Sequence, residues 1–254
     1  MKSSIGFYQV FSAELFKTKN NLAKWLLLLF PLCFSTLVFM YIFFKVEIIP
    51  LNPWLFTGNY IFSFYSFSYP LIIALIVVSL INIEYKHLGF KHLFTIPTSL
   101  SYIYIAKILV LFLFILYSTI VAYISYKLGC ILLQISRPEL NFQDYDFSLA
   151  IDLFFLKFFL SLICIALIQF ALSLKFSNFI VPTSFALFLT MFAILFDLEY
   201  SYLIPYKNIY MAYKDCVFED YTFLKKEVVV TLIYIPALFV TGAYLLFKKR
   251  QNGK

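Results

Sequence analysis

The sequence predicts an all-α membrane protein with six transmembrane helices, and three observations carry that prediction. Of the 254 residues, 63% are hydrophobic and only 13% are charged, whereas soluble domains run about 45–50% apolar and about 25% charged. So few polar residues cannot cover a water-soluble globule. The 33 Phe and 20 Tyr, with a mean hydropathy of +0.91, also exclude a disordered chain. Finally, the apolar residues fall in continuous runs close to the roughly 20 that one helical span needs. Barrel strands would be shorter and would alternate in polarity. Residues 1–254 read as a single transmembrane domain, with no obvious repeat or linker.

An N-terminal interfacial helix comes first. Phe7, Phe11, Leu15 and Leu22 recur at helical spacing, Lys17, Lys19 and Lys24 gather near the membrane, and Trp25 marks the turn into the bilayer. Val10 and Phe16 fall off that apolar stripe. The six spans are predicted at approximately 25–44, 61–83, 103–133, 149–174, 179–196 and 228–247. The third exceeds the bilayer thickness and is expected to tilt or to project from it. Pro31, Pro70, Pro182 and Pro236 lie within spans and are expected to sit in helical geometry.

Topology follows from the basic residues. With the N-terminus inside, the inner segments hold twelve Lys and Arg against two acids, and the outer segments hold eight against eleven. Both termini are therefore expected in the cytoplasm, and the net charge of +7 reflects topology and calls for no nucleic acid. The outer segment 197–227 is too charged to cross and too apolar for a solvated loop. It is expected to fold back as one or two short helices against the outer mouth, with Asp197, Glu199, Tyr206, Tyr210 and Tyr213 as an outer gate segment.

The inner loop 84–101 carries the most information. Leu88, Phe90, Leu93 and Phe94 oppose Lys86, Lys91 and two histidines, which predicts a short amphipathic cytoplasmic helix. Pro97 ends it, because the residue before a proline resists helical geometry, and Thr98 or Ser99 can cap the next helix.

Catalytic chemistry finds little footing. The six glycines are scattered, so no phosphate-cradling loop forms. The four cysteines contain no C-x-x-C pair, and His87 and His92 lack the spacing of a zinc-protease helix. No catalytic, cofactor-binding or metal site is therefore expected in this chain. Ionisable residues are nearly absent from mid-span, which argues against both an intramembrane enzyme and an ion-coupled carrier. Asp152 and Lys157 read as an interfacial anchor or a local ion pair.

The order of features resembles the permease subunits of ATP-binding-cassette exporters of the second export type. The nearest likeness is to the small six-span permeases of lantibiotic immunity and peptide export. The residues that carry it are Glu14 and Lys17 in the first helix, Trp25, the loop pattern Glu84, Gly89, Leu93, Pro97, Ser99 and Lys107, and the semi-apolar segment before the last span. The resemblance implies a separate cytosolic ATPase in two copies, holding ATP and magnesium, and a second permease chain, identical or related. It implies that Glu84, Lys86, Leu88, Gly89, Lys91, Leu93, Phe94 and Pro97 couple to that ATPase. Glu14 and Lys17 would make a second contact. The implied activity is ATP-driven export of an amphipathic or hydrophobic substrate, such as a peptide or antibiotic. The alternative is a membrane scaffold that binds a partner through 197–227.

Overall fold

The computed structural model describes residues 6–19, 22–45, 52–85, 98–145, 148–196, 199–217 and 222–252; among them are helices and no strand. In chain order these are α1 (Phe7–Lys17), α2 (Leu22–Lys45), α3 (Pro53–Tyr85), α4 (Leu100–Ser136), α5 (Ser148–Lys175), α6 (Ile180–Leu195), α7 (Pro205–Val217) and α8 (Lys226–Asn252). Single 3-10 turns lie at Pro138–Leu140, Phe142–Asp144 and Ser201–Leu203. The predicted loop helix within residues 86–97 lies outside the described residues.

Among the described residues, five helices, α2, α3, α4, α5 and α8, are long and apolar enough to cross a membrane. The fifth predicted span becomes α6, which is apolar but has only 16 residues, about 24 Å of rise against a hydrocarbon core of about 30 Å. It can stop early because its end is satisfied from elsewhere. The last carbonyls of a helix lack intrahelical partners, and the buried Lys207 of α7 donates to Ala193 O at 2.8 Å and Phe196 O at 3.0 Å.

Two helices are longer than a bilayer requires. α3 starts at Pro53, well before the predicted residue 61, and runs for 33 residues. Its start is signalled locally: the Asn52 side chain accepts from Trp54 N at 3.0 Å, and proline suits the first helical position because it lacks an N–H. α4 runs for 37 residues, about 55 Å, against a hydrocarbon core of about 30 Å. As anticipated, a residue just after Pro97 caps it: Ser99 Oγ accepts from Tyr102 N at 3.3 Å.

α5 packs against α3, α7 and α8, while α2 packs on α4 and α1 lies against α4. The α3–α5 seam is aromatic, with the Phe62 and Phe154 rings stacked at 4.0 Å and Tyr69 edge-on to Phe158 at 4.9 Å. Buried tyrosine hydroxyls reach backbone acceptors, as Tyr126 does at Trp54 O (2.8 Å); an unpaired hydroxyl in apolar surroundings would be costly.

Pro31 shows how an interior proline is accommodated. It has no N–H for the carbonyl of Leu27, one turn earlier. The Ser118 hydroxyl of α4 donates to Leu27 O instead, at 2.8 Å. The proline thus becomes an interhelical tie between α2 and α4.

Removing that donor in Ser118→Ala is expected to cost about 1–3 kcal/mol, the penalty for orphaning a buried acceptor, in reversible unfolding in detergent. In the Pro31→Ala background, where residue 31 regains an N–H, the same change is expected to cost much less. Equal costs in both backgrounds would show that the tie contributes nothing.

Candidate functional site

Four charged side chains from three helices close a ring at one end of the bundle. Glu14 and Lys17 come from α1, Glu84 from the last turn of α3, and Lys107 from near the start of α4. Lys17 Nζ lies 2.8 Å from both Glu14 Oε1 and Glu84 Oε1. Lys107 Nζ lies 2.7 Å from Glu14 Oε2 and 2.8 Å from Glu84 Oε1. Signs alternate around the ring, so each carboxylate touches two ammonium groups and the charge sums to zero.

Burial makes the ring consequential. Glu84 is 4% exposed, and Glu14 and Lys107 are each 7% exposed. An unpaired charge at such depth would be strongly disfavoured. Glu84 also sits at a helix C-terminus, where the macrodipole opposes a carboxylate, so it depends on the two lysines. Burial alone would lower the pKa of Lys17, but Glu14 and Glu84 outweigh it and hold the ammonium above the ordinary lysine value of 10.5.

The ring explains how α1 docks. The expected apolar stripe through Phe7, Phe11 and Leu15 is only half-buried, while Val10, Glu14 and Thr18 are the buried residues of the segment. Val10, which spoiled the predicted stripe, lies on the docking face, and Phe16 points outward, 73% exposed. The sequence reading misplaced that face because a glutamate sits at its centre.

The residue after Glu84 extends the anchor. Tyr85 donates its hydroxyl to Ser173 O at 3.0 Å and Leu174 O at 2.9 Å, at the end of α5. Lys249 of α8 lies over the Tyr85 ring at 3.8 Å and donates to Leu174 O at 3.1 Å. The foot of α3 is thus tied to α1 and α4 through Glu84, and to α5 and α8 through Tyr85.

A sequence model of the family described as ABC-2 family transporter protein matches residues 10–193. The chain belongs to that family. The match spans all four ring residues. No curated protein and no solved structure matches the chain. Membership makes this ABC-2 protein a multi-pass permease, the transmembrane subunit of an ABC transporter, and it implies pairing with an ATP-binding subunit.

Of the residues singled out in this ABC-2 permease for ATPase coupling, Glu84 is turned into the bundle. Lys86, Leu88, Gly89, Lys91, Leu93, Phe94 and Pro97 lie outside the described residues. Glu14 and Lys17 face each other, Glu84 and Lys107. Sequence reading did not foresee that Lys107 is the counter-ion joining both carboxylates; the signal was a lysine inside an apolar run, which demands a partner.

The predicted gate segment goes deeper than the mouth of the bundle. α7 lies along the middle of α5: Gln169 Nε2 donates to the Tyr206 hydroxyl at 2.6 Å, and Lys157 Nζ pairs with Asp215 Oδ2 at 2.5 Å. Lys225 also pairs with Asp215. Asn208 Nδ2 donates to Glu227 O at 3.1 Å and Thr231 Oγ1 at 2.8 Å of α8. Tyr206 is buried, Tyr210 and Tyr213 are half-buried, Glu199 is exposed, and Asp197 lies outside the described residues. Tyr213 donates to Asn59 of α3. Asp152 and Lys157 do not pair with each other: Asp152 binds Lys127 at 3.1 Å, and Lys157 holds α7.

Alternation makes a distinctive forecast. The single change Lys107→Met is expected to loosen α1 by about 3–5 kcal/mol, because Glu14 and Glu84 lose a shared cation; hydrogen exchange of residues 7–17 reads it. The double swap Glu84→Lys with Lys107→Glu is expected not to rescue, since two of the four ring contacts become like-charged. Inverting all four residues restores alternation and protection. Full rescue by the double swap would reduce the ring to an isolated ion pair. The Lys17 contribution to docking is fully present below its unfolded value of 10.5 and is lost as pH rises through the higher folded value. Protection of α1 should thus hold into the lysine range and fall above it.

Proposed function

We propose that this chain is the permease of an ATP-driven exporter of amphipathic or hydrophobic cargo, such as a peptide or antibiotic, in the manner of the lantibiotic-immunity branch. Two permease chains, identical or related, work with two cytosolic ATPases that hold ATP and magnesium. The chain sits in the cell membrane with both termini in the cytoplasm, as the excess of basic residues on that side supports. The ring end then faces the ATPases.

The observation that carries this reading is the ring itself. In this reading α1 meets the ATPase; segment 86–97, the other contact the resemblance implies, lies outside the described residues. Glu14, Lys17, Glu84 and Lys107 clamp α1 to the feet of α3 and α4, so a displacement of either contact moves both helices together. Tyr85 passes the same motion to α5 and α8. Across the bundle, α5 carries it to α7, held by Lys157 and Gln169, and α7 holds the end of α6 through Lys207. The Tyr206, Tyr210 and Tyr213 face thus becomes the outer gate. The scaffold reading draws little support from α7 itself, whose Tyr206, Ile209, Ala212 and Cys216 are buried in the bundle.

Co-reconstitution with its ATPase in vesicles tests the proposal. ATP-dependent accumulation of a fluorescent amphipathic peptide is expected for the parent complex. Glu84→Gln is expected to retain ATP hydrolysis while transport falls about tenfold, within the usual range of inter-site coupling. Transport that persists without the ATPase, or that ignores Glu84→Gln, would overturn the coupling role.

A further inference from the structure

Tyr104 of α4 is buried, and its hydroxyl ends in the hydrogen-bond ladder of α8. It donates to Phe239 O, and the amide of Ala243, one turn further along α8, faces the same hydroxyl. Gly242 leaves the room for it: a Cβ there would lie 2.8 Å from the hydroxyl oxygen, closer than packed atoms sit. The Tyr104 ring is held from two sides, edge-on to Phe239 at 5.0 Å and to Phe170 of α5 at 5.8 Å.

The contact falls where α8 is weakest. Pro236 has no N–H, so the carbonyl of Leu232, one turn earlier, loses its ladder bond. Thr241 donates to Leu238 O at 2.9 Å, and hydroxyls bonded to ladder carbonyls tend to bend helices. Gly242 adds backbone freedom in a helix interior. These features lie within about two turns of one another. On either side α8 is held by other helices. Outward, Asn208 of α7 donates to Glu227 O and Thr231; inward, Lys249 donates to Leu174 O and lies over the Tyr85 ring.

We propose that Tyr104 is a positioning residue for transport, which braces a hinge of α8 at residues 236–242 and ties it to the ring. Tyr104 lies one turn before Lys107 on α4, so a movement of the ring end of α4 carries the Tyr104 hydroxyl with it. The Phe239–Ala243 turn of α8 follows, while the outer half of α8 stays with α7. The hydroxyl suits this task because it faces a carbonyl and an amide of α8 at once, and its ring is fixed by packing. The brace itself is independent of the export reading; its effect on transport rests on that reading.

Hydrogen exchange on the full chain in nanodiscs tests the brace. Tyr104→Phe, which removes only the hydroxyl, is expected to speed exchange of the amides at 240–246 by about tenfold, as the loss of one net hydrogen bond gives. Residues 7–17 and 226–232 are expected to keep their protection, which also shows that the variant is folded. In a Gly242→Ala chain, where the added methyl has already displaced the hydroxyl, Tyr104→Phe is expected to change little, because both substitutions break one contact. A second readout uses the chain with its ATPase in vesicles. Tyr104→Phe is expected to lower the peptide moved per ATP by about fivefold, the low end of inter-site coupling, while hydrolysis persists. Pro236→Ala, which regains a ladder bond and stiffens the hinge, is expected to slow exchange at 236–242 and to lower transport per ATP as well, an outcome that loss of stability would not give. Equal exchange at 240–246 in the parent and Tyr104→Phe, or the full effect of Tyr104→Phe persisting in the Gly242→Ala chain, would overturn the brace. Faster exchange with transport per ATP unchanged would overturn its role in transport. A parent complex that moves no peptide would count against the export reading alone, and the exchange rates would still decide the brace.

Discussion

The closed ring of Glu14, Lys17, Glu84 and Lys107 is the constraint on which one end of this bundle depends. Low polarity makes each member intolerant of losing its neighbours, because a buried charge without a counter-charge is far more costly than the pair is favourable. Three segments distant in sequence therefore behave as one part. α1 packs Val10, Phe7 and Phe11 against the core, while Tyr8 and Phe16 remain exposed. Its glutamate and lysine, together with these apolar contacts, fix where it sits.

The same physics runs through the rest of the bundle. At two interruptions of the helical ladder, a polar side chain from another helix makes up the missing bond. Ser118 serves the carbonyl freed by Pro31, and Lys207 serves the open end of α6. In a setting without water, such repairs must come from within the protein. They also become the joints between helices. α7, the most polar of the buried helices, is held by Gln169 and Lys157 of α5, by Thr231 of α8 and by its own lysine on α6. An ABC-2 permease with so few ionisable residues in its spans places several of those few at contacts between helices.

Much of the fold was legible because membrane helices announce themselves by length and apolarity, and the cores of α2, α4, α5 and α8 fall where the hydrophobic runs lie. The errors cluster where polar residues take part in packing. α3 begins earlier than its apolar run because Asn52 and Pro53 form a helix start that hydropathy does not register. α6, by contrast, matches its predicted run to within a residue at each end, and its last carbonyls are met by a lysine eleven residues beyond Phe196. The stripe on α1 was misplaced because Glu14, polar by any scale, occupies the middle of its buried face. Glu84 and Lys107 were recognised as notable, yet a linear pattern cannot tell whether a charge faces a partner protein or another helix of the same chain.

Composition and run length alone determined that this chain is a helical membrane protein with no phosphate-binding glycine loop, because those properties are set by transfer free energies summed over whole segments. Which charges meet was decided only in three dimensions. Lys107 must answer both Glu14 and Glu84, and Lys207 must reach back to α6, because pairing within a low-dielectric interior depends on distances of a few ångströms between segments that lie tens of residues apart. The alternating order of the ring, and with it the union of α1, α3 and α4, is a property of the packed bundle.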